Sequence, residues 1–164
     1  MYTGQLQPHE GLRDSHRLVY INDAGAARKL RRKGSLIIFF SHQWLSLRLP
    51  DPRNLQSEEM AHALNEISQE HRVRPDQIYT FVDYSSMPQT CLDMQLLAIQ
   101  SLVAYAAAST LTVIICPSSV HMDFGTVCNF DTYATRLWCR GEVFGTCLLY
   151  TSAAHDQDGQ RTRR

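Results

Sequence analysis

No stretch of this sequence is apolar for long enough to matter to a bilayer. The most strongly apolar runs, Leu36 to Phe40 and Leu111 to Cys116, fall far short of the roughly 20 residues that a membrane-spanning helix needs. The first residues, MYTGQLQPHEGLRDSH, lack the apolar centre of a secretory signal, so the chain is expected to be cytoplasmic with its thiols reduced. Cys91, Cys116, Cys128, Cys139 and Cys147 are odd in number and include no Cys-x-x-Cys pair, which argues against a disulfide framework and a structural zinc site alike. No metal is expected. Charge has no prevailing sign either. The 16 Lys and Arg against 16 Asp and Glu give no whole-chain attraction to nucleic acid or an anionic membrane. The eight glycines are scattered and build neither common phosphate-binding loop, so kinase and dinucleotide-fold readings lack their central element.

What is present is an alternation of two patterns within a length suited to one domain. Ser35 to Phe40, Ile78 to Val82 and Leu111 to Cys116 are dense in β-branched and aromatic residues. The first is apolar almost throughout, the pattern of a strand buried on both faces and therefore central. Helical segments fall between these runs. Asn22 or Asp23 suits a cap for a short helix through Leu30 that Gly34 ends, with Arg28, Lys29, Arg31, Arg32 and Lys33 on its solvated side. Ser57 followed by Glu58 and Glu59 marks a helix start, with Met60, Leu64 and Ile67 on one face. Asp93 is placed to cap a helix burying Leu96, Ile99, Leu102, Val103 and Ala106. Beyond the third strand, a loop over 121–129 leads to a helix capped by Asp131 or Thr132 and carrying Tyr133, Trp138 and Glu142. Residues 1–20 show no clear period. Strand and helix in this order predict an α/β domain with a parallel sheet covered on its faces. Such sheets bind ligands beyond the carboxyl ends of their strands, which directs attention to Ser41 to Trp44, Asp83 to Gln89 and the segment after Cys116.

Several side chains in those segments suit chemistry, and each also suits a plainer role. Trp138 and Glu142 are four apart and share a helix face, where an indole wall beside a carboxylate fits a nucleotide glycosidic bond. The same pair equally describes a core tryptophan and an exposed glutamate paired with Arg136 or Arg140. Asp83 either holds a ribose hydroxyl or caps the turn after its strand. His42 and Trp44 point to one side by alternation and either line the same cleft or, for His42, bond a loop carbonyl. Cys139 with His42 or His121 would make a thiol nucleophile and its base, although no spacing favours this over an inert core thiol.

Ile37-Ile-Phe-Phe-Ser41, Tyr79-Thr-Phe-Val-Asp83, Val113-Ile-Ile and Leu137-Trp-Cys-Arg-Gly-Glu142 together resemble the Toll/interleukin-1 receptor (TIR) domain. The likeness is to stand-alone TIR-like proteins of microbial eukaryotes that carry SHxW, a D-Y-S-x-x-P-Q loop and Y-x-x-R-x-W-C-R-x-E. It covers residues 34–150, and W-C-x-x-E is its most specific part. The resemblance implies a flavodoxin-like three-layer fold over 34–152 with three to four parallel strands, Cys147 to Thr151 being the fourth. An N-terminal extension with a short helix (1–33) and a disordered tail (153–164) flank it. Because only 22 residues follow Glu142, the C-terminal part of that fold is expected to be missing.

The resemblance also implies a role in signalling or innate immunity. In an NAD nucleosidase, Glu142 would be the catalytic carboxylate, Trp44 and Trp138 the walls, and Ser41, His42 and Asp83 the neighbours of the ribose. NAD would be a substrate, with no cofactor required. The alternative it implies is a non-enzymatic module that joins itself or other TIR domains through the Asp83 to Gln95 segment. Either way the expected partner is a homo-oligomer or another TIR domain, not nucleic acid or a membrane.

Overall fold

The computed structural model describes residues 4–136 and 139–141. Its elements in chain order are α1 (His9–Asp14), α2 (Ala24–Arg32), β1 (Leu36–His42), α3 (Leu55–Glu70), a 3-10 turn (Pro75–Gln77), β2 (Ile78–Val82), α4 (Asp83–Ser86), α5 (Leu92–Gln100), α6 (Leu102–Ala108), β3 (Leu111–Ile115), β4 (Ser119–Val120), β5 (Val127–Cys128) and α7 (Phe130–Thr135).

The continuous apolar run becomes β1, all seven of its residues are buried, and it sits in the middle of a parallel sheet of order β2-β1-β3. Phe39 lies opposite Phe81 on one side and Thr112 on the other. Side chains alternate across a strand, so β1 feeds two cores. Leu36, Ile38 and Phe40 pack with Val82 and Ile115 against Met60, Leu64 and Ile67 of α3. Phe39 packs on the opposite face with Ala98, Leu102 and Ala106 of α5 and α6. It stacks on Phe81 with ring centroids 5.0 Å apart. Burying side chains such as Ile38 and Phe39 contributes on the order of 1.5–3 kcal/mol each. The result is a mixed α/β architecture with helices on both faces, compatible with a flavodoxin-like arrangement. No helix among the described residues is long and apolar enough to cross a membrane, and the four cysteines described are free thiols.

Several elements differ from the sequence expectation. α1 was not foreseen; it buries Leu12 and His9. α2 starts as expected, Asp23 Oδ1 accepting the Ala26 N–H at 2.7 Å, and Gly34 leaves it at φ +85, where an L side chain is strained. α3 begins at Leu55, ahead of Ser57. Ser57 caps nothing; its own N–H is satisfied at 2.7 Å by Asp51, a fully buried upstream carboxylate that does the capping from the loop. The segment after β2 is not all loop, because Asp83–Ser86 forms a helical turn.

The helix expected from Asp93 starts one residue earlier, at Leu92, and is divided at Ser101. Leu96 and Val103 prove exposed, since small Ala98 and Ala106 are what fits beneath Phe39. The loop over 121–129 contributes to a β4–β5 hairpin. α7 is capped by Asn129, not Asp131 or Thr132, and it ends at Thr135. Arg136 is extended and residues 139–141 are helical again, so Tyr133 and Cys139 do not share an unbroken helix. Trp138, Glu142, Cys147 to Thr151 and the tail lie outside the described residues.

Candidate active site at the carboxyl edge of the sheet

β1 and β2 run parallel with Phe40 opposite Val82, so the residues that follow them emerge side by side. His42 and Asp83, 41 positions apart, thereby meet at 2.9 Å, Nε2 to Oδ1. Only 1% of the His42 side chain is exposed. Its other nitrogen, Nδ1, lies 2.8 Å from Gln56 Oε1. Gln56 cannot present its amide nitrogen there, because that nitrogen donates to the Gln43 carbonyl at 2.7 Å. A flipped amide would set two acceptors against each other. Both His42 nitrogens therefore face oxygen acceptors, an arrangement that favours a doubly protonated ring beside the Asp83 carboxylate.

Asp83 is correspondingly crowded with donors. Trp44 Nε1 donates to Oδ2 at 2.8 Å, and the Tyr84 N–H donates to Oδ1 at 2.6 Å. Burial alone would raise this carboxyl's pKa. The His42 charge, with hydrogen bonds from His42, Trp44 and the Tyr84 backbone, outweighs it and holds Asp83 below the usual carboxylate range. Trp44 packs edge-on against Tyr84 with centroids 5.7 Å apart, which fixes the orientation of the indole. Ser41 points to the other face of β1 by alternation. There its Oγ lies 2.6 Å from the Tyr133 hydroxyl, and Gln43 Nε2 donates to Thr132 Oγ1 at 3.3 Å. These contacts dock α7 against the strand end.

Of the residues expected to touch substrate, the structure thus brings His42, Trp44 and Asp83 together and turns Ser41 toward α7. Trp138 and Glu142 lie outside the described residues. Gln56, Gln43 and Tyr133 belong to the same polar edge and were not foreseen as site residues. Gln56 carried a signal, because it extends the Met60, Leu64, Ile67 stripe back by one turn, and a glutamine on a core-facing stripe needs a polar partner.

Next to this network, at the end of β3, a cavity of about 380 Å³ is lined by Glu59, Ile114, Ile115, Cys116, Pro117 and Phe130. The chain leaves β1 for β2 on one side and then crosses to β3 on the other. The cavity therefore borders the point where strand order reverses, the usual ligand position in open α/β sheets. None of His42, Trp44 or Asp83 lines it. Burial, reinforced by the neighbouring Cys128, pushes the Cys116 thiol up, so it is protonated and a poor nucleophile.

The chemistry available to the network follows from these protonation states. A doubly protonated His42 has no lone pair to serve as a base, which removes it as an activator of Cys139. The other histidine considered, His121, receives the Asp123 N–H on Nδ1 at 3.3 Å and stacks on Phe124. An ionised Asp83 already holding three donors is a weak base. The network is therefore a preorganised polar floor rather than an acid–base pair. Among the described residues no cluster of His, Cys, Asp and Glu is placed to hold a metal ion.

No family model matches this chain, and neither a curated protein nor a solved structure is found to match it.

Proposed function

We propose that the chain is a TIR-like NAD nucleosidase that breaks the nicotinamide–ribose bond, with Glu142 as its catalytic carboxylate. The observation that carries this reading is the convergence of His42, Trp44 and Asp83 at the carboxyl edge of the parallel sheet, beside the reversal of strand order. The reaction suits such a floor. Nicotinamide leaves a cationic pyridinium as a neutral molecule, so no general acid is needed. The developing charge is on the ribose, where a single carboxylate stabilises it. Water then adds at the anomeric carbon and its proton passes to solvent. Trp44 supplies a rigid aromatic wall, and the ion pair beneath it fixes the strand ends against which the ribose would lie.

A second reading, a module that associates with itself or with other TIR domains, is favoured by a different observation. Leu92, Met94, Leu96 and Leu97 of α5 are 67%, 52%, 47% and 58% exposed, and Asp93 is the helix's sole charged residue. Four large apolar side chains held in water on one short helix are a surface suited to burial against a partner. The two readings are compatible if assembly builds the active state.

The test is nicotinamide release from NAD by the wild-type chain and by Glu142→Ala, at dilute and concentrated protein, with circular dichroism verifying that both are folded. Release by wild type alone supports catalysis. Two folded but inert proteins at every concentration overturn it and leave the association reading.

A further inference from the structure

A second cavity lies along the outer side of β2. It measures about 590 Å³ and is bounded by the Arg17–Asp23 segment, by α6 and by all five residues of β2. Successive strand residues point to opposite faces, so a cavity lined by five in a row runs along the strand's open edge. Among the described residues β2 has no strand neighbour on that side. The Val82 N–H turns outward to Ser86 Oγ at 3.1 Å, and the Ile78 N–H turns outward to Pro75 O. By the same alternation the Thr80 N–H and the Ile78 carbonyl also face the cavity, and no described residue is bonded to either. Tyr79, Phe81 and Tyr105 supply aromatic lining, Phe81 and Tyr105 with centroids 5.0 Å apart.

We propose that this cavity binds the base of a 6-aminopurine compound, its exocyclic amine donating to the Ile78 carbonyl and its adjacent ring nitrogen accepting the Thr80 N–H. A carbonyl and the N–H two residues on form a fixed donor–acceptor pair on an open strand edge. A planar heterocycle with a neighbouring donor and acceptor matches that pair without bending. The flanking rings offer it apolar contact and stacking, and the volume falls within the range of small-molecule pockets. The site shares none of His42, Trp44 or Asp83, so although NAD carries such a base, adenosine binding here is measured separately from NAD cleavage.

The test is a titration with adenosine followed by amide chemical shifts. Shifts centred on Tyr79 to Phe81 and Tyr105 are expected. N6,N6-dimethyladenosine, which lacks the donor, should bind at least tenfold more weakly. Thr80→Pro removes one outward N–H from an edge strand, where proline is tolerated, and should weaken adenosine at least tenfold. Ala104→Phe fills the cavity from α6 and should abolish the shifts; it decides the matter if Thr80→Pro does not fold. Absence of shifts overturns the proposal. So do shifts confined to Ser41 to Trp44, an affinity unchanged by Ala104→Phe, or equal binding of the dimethyl compound.

Discussion

His42 is enclosed by its hydrogen-bond partners rather than by solvent, and the cost of disturbing them follows. Replacing Asp83 with Asn removes the carboxylate that faces the buried His42 ring and weakens the acceptor of Trp44 Nε1. Breaking such a pair costs about 3 kcal/mol, here at the lower end of the usual range because 27% of the Asp83 side chain reaches solvent. Urea unfolding of Asp83→Asn against wild type at pH 7 measures it. The sign with pH is fixed by the lowered Asp83 pKa. Its contribution is complete above the ordinary aspartate value and is lost as pH falls through the depressed folded value. Gln56→Met preserves volume but strands the His42 Nδ1–H and the Gln43 carbonyl, each buried. A loss of about 2–4 kcal/mol is expected in the same assay. His42 and Asp83 could be placed at the edge from the strand ends alone. Gln56 could not, because the sequence does not say which residue of a helix meets a strand tip.

Among the elements, the N-terminal helix α1 has the least foreseen role. Glu10 Oε1 accepts the Gln89 N–H at 2.7 Å and the Thr90 N–H at 2.9 Å, and Ser85 Oγ donates to the Gln7 carbonyl at 2.8 Å. α1 thus fastens the segment between β2 and α5. Partial burial alone would raise the Glu10 pKa. The Thr90, Glu10 and Gln89 backbone N–H groups and the Thr90 hydroxyl overcome this and lower it to about 2. The fastening is complete above the ordinary glutamate value and is released as pH falls toward that lowered pKa. Glu10→Ala should speed hydrogen exchange at Gln89 and Thr90 at least tenfold while leaving β1 amides unchanged. The exposed face of α5 gives a second expectation. Leu92→Gln combined with Leu97→Gln should shift concentration-dependent association toward monomer in analytical ultracentrifugation, with a melting temperature within a few degrees of wild type. Leu96 illustrates why the α5 face was misassigned. An apolar run without charges gives helix but not phase, and the phase was chosen by the small side chains that fit under Phe39.

For the whole molecule, stability is centred on one strand. β1 is paired on both sides and buried on both faces, whereas among the described residues β2 and β3 each pair only with β1. Native-state hydrogen exchange should therefore be slowest from Ile38 to Ser41 and faster in the flanking strands. Phe39→Ala, which removes the ring stacked on Phe81 and packed by α5 and α6, should cost about 3–5 kcal/mol in urea unfolding.

The sequence by itself determined the alternation of the three main strands with helices, the central place of Leu36–His42, and the position of His42 and Asp83 at the ends of their strands. Continuous apolar runs, breakers and parallel crossovers act locally and leave few arrangements. Only the tertiary structure decided the contact of His42 with Asp83 and Gln56, the Ser41–Tyr133 contact, the clasp of α1 on the segment after β2, and the cavity along the outer edge of β2. Each of these depends on atoms far apart in the chain arriving within hydrogen-bond distance, and no periodicity records that.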